Sequence, residues 1–250
     1  MIQLQRLRIP LDITMTALSV ILMGGTILFP DDRIHQILGM VLIALWVAHI
    51  ALNRRWYASL AQASKLITSS NANDRRSYGA IFKGRYNPYR VMQTVVNSGV
   101  LLCALLLAVS GMMMAWFIPE TVSVPLGFAR TAHLVGSHWY YLFMCAHLGM
   151  HISMIFNRIK AKRAESADTE TGANGGFDRL NHRVISVRKV IFRVLVALVC
   201  AYGAHAFIVR GIAKYLFFRQ PFFFFDLERG YLLFAADYLS ILVLLATLSN

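Results

Sequence analysis

Six apolar stretches divide this chain, near residues 11–30, 35–53, 91–117, 131–156, 190–217 and 229–248. Each is long enough to cross ~30 Å of hydrocarbon as an α-helix. A backbone in lipid has to satisfy its own hydrogen bonds, so only helices and closed barrels span a bilayer. These stretches are continuous apolar runs rather than short alternating ones, which excludes a barrel. With 57% apolar and 15% charged residues over 250 positions, the expected class is an all-α polytopic membrane protein.

Charge sets the expected orientation. The net charge of +13 raises a nucleic-acid reading, which its distribution removes. Nineteen of the 25 Lys and Arg lie in the head (Arg6, Arg8) and in the 53–90 and 157–193 connections. Arg33, Arg130, Arg210, Lys214, Arg219 and Arg229 lie at or near the other side. The positive-inside rule then puts both termini in the cytoplasm. Basicity is a topology signal, with membrane lipid contact as a secondary effect and no nucleic-acid partner. The first segment follows a basic head as a signal peptide does, but its length and the lack of a small-x-small site before Pro30 favour a retained anchor. Cys103, Cys145 and Cys200 fall inside apolar segments and read as small buried residues; no CxxCH exists for covalent haem attachment.

Polarity also divides the chain. Residues 1–157 hold four apolar segments, interrupted by a basic connection with a turn signal at Ser69–Asp74. Residues 158–188 form a polar cytoplasmic linker, acidic and Gly-rich from Glu165 to Gly176. Residues 189–250 hold two further membrane segments. The front half echoes itself loosely: Gly24-Gly25, Pro30, Arg33, His35 and His49 against Ser110-Gly111, Pro119, Arg130, His133 and His147.

That echo contains the functional signal. His35 and His49 lie fourteen residues apart, and His133 and His147 repeat the interval. On an α-helix each pair returns to one face within roughly 40°, separated by ~21 Å along the axis. Both segments run from outside to inside, so His35 meets His133 near the outer face and His49 meets His147 near the inner one. One imidazole from each helix at each level makes two bis-histidine haem sites, an expected four-helix di-haem bundle followed by two additional C-terminal transmembrane helices. A buried membrane histidine is costly and usually functional, though a single one also serves as a helix–helix hydrogen bond. His138, turned ~140° from His133, is a packing or quinone-pocket residue, or a replacement for His133 in a bent helix. His151, one turn after His147, competes for the inner iron or bonds a propionate. His182 reads as solvated. Arg33 and Arg130 suit outer propionates, and Asn53, Arg54 and Arg55 inner ones; plain interfacial anchoring by arginine serves as well. Gly39 and Gly136 would admit a flat macrocycle, or simply a neighbouring helix. In the tail, Arg210 and Asp237 reach similar depth and read as a neutralising pair, or, with His205, as a quinone or proton site. Phe222–Phe225 reads as an aromatic belt or docking patch.

The strings Arg130-Thr-Ala-His133-Leu-Val-Gly-Ser-His-Trp139, running on to His147-Leu-Gly-Met-His151, and His35-Gln-Ile-Leu-Gly39 with His49-Ile-Ala-Leu-Asn53 resemble the flavinylation-associated membrane cytochromes of bacteria. So does Ser110-Gly111-Met. The resemblance covers about residues 5–157. It implies a four-helix core with two noncovalent haem b groups on His35, His49, His133 and His147, in a bacterial inner membrane. It also implies an extracytosolic partner bearing covalent flavin. His138 stands where the family pattern has an aromatic residue, and the last two segments lie outside the match.

The expected function is transmembrane electron transfer from a quinol or cytoplasmic donor to an extracytosolic acceptor, with the C-terminal segments open to homo- or hetero-oligomer contacts. The alternative is a reductase acting on ferric iron or a small acceptor at the outer haem; no GxGxxG is present, so its donor domain would be a separate chain. A di-iron enzyme or transporter, prompted by His147-xxx-His151, needs carboxylates clustered at one level, and Asp237 is the only candidate beyond the rims.

Overall fold

A computed structural model describes residues 7–29, 31–54, 58, 88–119, 123–170, 178–224 and 230–249. Among them the chain is helical throughout, with no strand. The helices are α1 (Arg8–Leu22), α2 (Asp32–Leu52), α3 (Pro88–Met113), α4 (Leu126–Glu170), α5 (Asp178–Val209), the short α6 (Ile212–Leu216) and α7 (Gly230–Leu248), with a 3-10 turn at Gly25–Leu28. Pro30, Arg55 and the turn at Ser69–Asp74 lie outside the described residues.

Local chemistry sets the ends of α2. Asp31, extended at φ −134°, accepts the Arg33 N–H at 2.8 Å as an N-cap, satisfying a donor that has no intrahelical partner. At the other end Asn53 caps the helix, its backbone N–H returning to His49 and Ile50 and its side chain bonding the His49 carbonyl at 2.9 Å. Between these caps, from Ile37 to Ala48, the sequence is apolar on every side, and no residue of α2 is buried within the chain. A helix apolar all round belongs in lipid or in a large core.

Among the described residues, four helices are long and apolar enough to cross a membrane: α2, α3 from Tyr89, α5 from Val187, and α7. The chain is a membrane protein built of several apolar helices. The other two expected segments are also helical. α1 has 15 residues, about 22 Å of rise. α4 carries the 131–156 stretch and continues to Glu170, past residue 157 and into the expected linker. That extension is rich in Lys, Arg, Ala and Glu, all strong helix formers.

The chain divides into two compact units, Met1–Tyr141 with Pro221–Phe225, and Leu142–Gln220 with Asp226–Asn250. In the first, α2 packs against α1 and α3. Ser19 of α1 gives its hydroxyl hydrogen to the Met15 carbonyl at 2.8 Å and lies 3.2 Å from the Tyr140 hydroxyl of α4, which therefore donates to it. At Gly136 a Cβ would lie 3.1 Å from Leu106, so this glycine serves the α3–α4 contact. In the second unit α5 packs along α7. A Cβ on Gly203 would collide with the Ser240 carbonyl, and one on Gly149 with Ala246. Small residues that let backbones approach this closely are how helices associate in lipid, where burial alone drives nothing.

Candidate functional site

The outer histidines meet. His35, one turn into α2, and His133, in the second turn of α4, place their ring centroids 6.3 Å apart at 69°. Two imidazoles bound on opposite sides of one metal ion at ~2.0 Å put their centroids at roughly this separation. Each ring is held differently. Ser110 of α3, 2% exposed, gives its hydroxyl hydrogen to the Leu106 carbonyl at 2.7 Å and lies 3.1 Å from His133 Nδ1. With its hydrogen committed, the Ser110 oxygen accepts from His133 Nδ1–H. That fixes the tautomer and leaves the Nε2 lone pair for a metal, the arrangement usual for a ligating histidine. His35, by contrast, has a buried Nδ1 without a hydrogen-bond partner. Phe29 flanks its ring at 6.1 Å. Gly111 touches the other ring, where a Cβ would lie 3.5 Å from His133 Cε1. On the His35 face of α2, a Cβ at Gly39 would meet nothing within 4 Å, so a flat group has open space there.

His49 is fully engaged. Its Nδ1 lies 2.7 Å from Asp12 Oδ1 of α1; a carboxylate only accepts, so Nδ1 carries the hydrogen. Its Nε2 lone pair then accepts from Asn53 Nδ2 at 3.3 Å. A carboxylate behind a histidine is the recurrent support of metal-bound imidazole. Sequence reasoning passed over Asp12, although a lone carboxylate in an apolar segment is a default functional signal. Arg8, one turn earlier, donates to the Leu52 carbonyl at 2.7 Å and joins α1 to the end of α2.

In the second unit the His147 and His151 rings lie 4.4 Å apart on one face of α4. His138 belongs to the first unit, is 1% exposed, and donates through Nδ1 to the Leu134 carbonyl at 2.8 Å, an intrahelical bond that ties the ring to its own backbone. Arg130 and Arg54 are exposed. Arg33 stacks on Trp116, its Cζ 5.4 Å from the ring centroid. His205 is exposed. Arg210 Nε pairs with Asp237 Oδ2 at 2.8 Å, and the Tyr202 hydroxyl donates to Asp237 Oδ1 at 2.5 Å. Phe222 and Phe224 are exposed, whereas Phe223 lies against Gly25; Phe225 lies outside the described residues.

The His35–His133 donor set would suit a haem iron: two imidazoles with centroids 6.3 Å apart, one with its tautomer fixed, one with an unsatisfied buried nitrogen, and open space on the helix beside it. Among the described residues no three His, Cys, Asp or Glu side chains gather around one point; bis-imidazole ligation needs two. No family model, no curated protein and no solved structure matches the chain.

Proposed function

We propose that this chain is a transmembrane electron carrier of a bacterial inner membrane, with two b-type haems stacked in a bundle of α1 to α4. In this reading all six apolar segments cross the bilayer, both termini are cytoplasmic, and α5 and α7 form an added C-terminal pair. His35 and His133 hold the outer haem, His49 and His147 the inner one. Electrons pass between a quinol or cytoplasmic donor and an extracytosolic, flavin-bearing acceptor. The resemblance of the histidine strings to flavinylation-associated cytochromes supports that partner.

The observation that carries the reading is the outer pair, 6.3 Å between ring centroids with Ser110 on His133 Nδ1. A haem bound there would supply one-electron chemistry, with its potential set by the residues holding it, burial and nearby hydrogen bonds. The chain's own contribution is positional. Ser110 leaves the Nε2 lone pair of His133 available, and Asp12 holds the His49 ring through Nδ1.

The test is a pyridine haemochrome assay on protein expressed with ample haem, with reduced-minus-oxidised spectra of His35→Ala, His49→Ala, His133→Ala and His147→Ala. Two haem b per chain are expected, falling to one in each variant, with the first and third variants sharing one difference spectrum and the second and fourth the other. Haem-free protein under these conditions overturns the reading.

A further inference from the structure

Helix α2 has a second organised stripe. Arg33, Gln36, Met40 and Ile43 recur three or four residues apart, all turned ~80–160° from His35. Met40 and Ile43 form one wall of an open groove of about 540 Å³, bounded opposite by Ala108, Met112 and Met113 of α3 and by Val124. That volume is within the range of small-molecule sites, ~300–1,000 Å³. Its lining is apolar, and three of these residues are methionines, whose flexible thioethers adapt to a flat ring.

The stripe turns polar one helical turn beyond Met40. Gln36 Oε1 accepts the Trp116 backbone N–H at 2.9 Å, which leaves the Nε2 hydrogens of its amide as donors. The Arg33 guanidinium, stacked on Trp116, adds donors and no acceptor. Charge at this end is not positive overall, because Asp31 and Asp32 flank Arg33 and Asp31 already accepts its backbone N–H. A phosphate would meet one cation against two carboxylates. The matching occupant has a long apolar chain and a neutral head whose polar atoms only accept. An isoprenoid quinone has two carbonyl oxygens, no donor and an apolar tail.

We propose that this groove binds a quinone, its ring beneath the Arg33 and Gln36 donors and its tail along Met40, Ile43 and Met112. Gln36 follows His35 directly, and Met112 follows Gly111, which touches His133. Met40 lies only ~7.5 Å further along α2 than His35. The redox purpose of such a site rests on the haem reading above; the binding does not.

The full chain in phosphatidylethanolamine nanodiscs is photolabelled with an azido-ubiquinone carrying a ten-carbon tail, and the adduct is mapped by mass spectrometry. Saturable labelling of peptides containing Met40 or Met112, displaced by unlabelled decyl-ubiquinone, is expected. Ala108→Trp, which fills the groove, and Gln36→Glu, which keeps the side-chain shape and the Trp116 acceptor but removes the amide donors, each weaken labelling at least tenfold at unchanged helix content. Non-saturable labelling, indifference to both substitutions, or equal displacement by a phospholipid photoprobe makes the groove an ordinary lipid seam and overturns the site. The measurement is run with and without haem. Saturable labelling of haem-free chain keeps the site where the haem reading fails; haem-loaded chain without it sinks the site alone.

Discussion

His35 and His49 stand on one helix and one face, yet their surroundings are opposites. His49, near the C-terminal end of α2, has both ring nitrogens engaged, by Asp12 at 2.7 Å and Asn53 at 3.3 Å. His35, near the other end, has a buried Nδ1 with no hydrogen-bond partner. A buried polar atom left unsatisfied costs ~1–3 kcal/mol, and such atoms in native proteins usually answer to a ligand or function. The contrast teaches that one spacing rule can produce a histidine content with its neighbours and one that is not. An unmet polar atom is therefore visible at His35 from the chain alone, whereas the His49 arrangement would also suit a plain hydrogen bond.

The largest break in this comparison comes from His133→Ala. Outer-haem absorbance should vanish while the inner band stays, read by difference spectroscopy; Asp12→Asn should leave both bands. Next is Ser110→Ala, which frees the His133 tautomer and should weaken outer haem binding 10–100-fold in titrations of haem-depleted protein, as losing a residue behind a ligand typically does. Third, His35→Leu should stabilise the haem-depleted chain by ~1–2 kcal/mol, because it removes the unsatisfied nitrogen, raising the thermal midpoint of unfolding. His49→Leu should change it by less than ~1 kcal/mol in the opposite direction, since Asp12 is half exposed and a solvated hydrogen bond contributes little. Equal signs for the two substitutions would erase the distinction. Smallest is the salt response. Raising ionic strength to ~0.5 M should leave the difference between wild type and Asp12→Asn nearly unchanged, because a neutral His49 ring offers no second charge to screen, and Ser110→Ala keeps its difference as well.

Much of this was legible beforehand because the signals were periodic. His35 was paired with His133 from sequence, and the two rings lie 6.3 Å apart; the matching pairing of His49 with His147 is a proposal. Similar depth for Arg210 and Asp237 foretold their ion pair. What sequence did not disclose depends on the azimuth of one helix against another. Arg33 was expected among outer propionates, but two residues before His35 on a helix is a turn of ~160°, and its guanidinium lies over Trp116. Ser110 was visible only as half of a Ser-Gly echo; its role depends on where α3 meets α4. Asp12 was hidden by the basic head before it, which made the first segment look like an anchor alone. Gly136 illustrates the reverse: its two readings were equal until the approach of Leu106 favoured packing.

The Arg210–Asp237 pair has a consequence for how the chain is made. Asp237 lies seven residues into α7, ~10 Å along it, where an uncompensated charge resists release from the insertion machinery into lipid by ~2.5–3.5 kcal/mol. During synthesis Arg210 emerges first, and its partner follows only after the connecting segment is translated. Neither helix is a comfortable passenger alone. Pairing the two as they leave the translocon would neutralise both charges before they meet hydrocarbon.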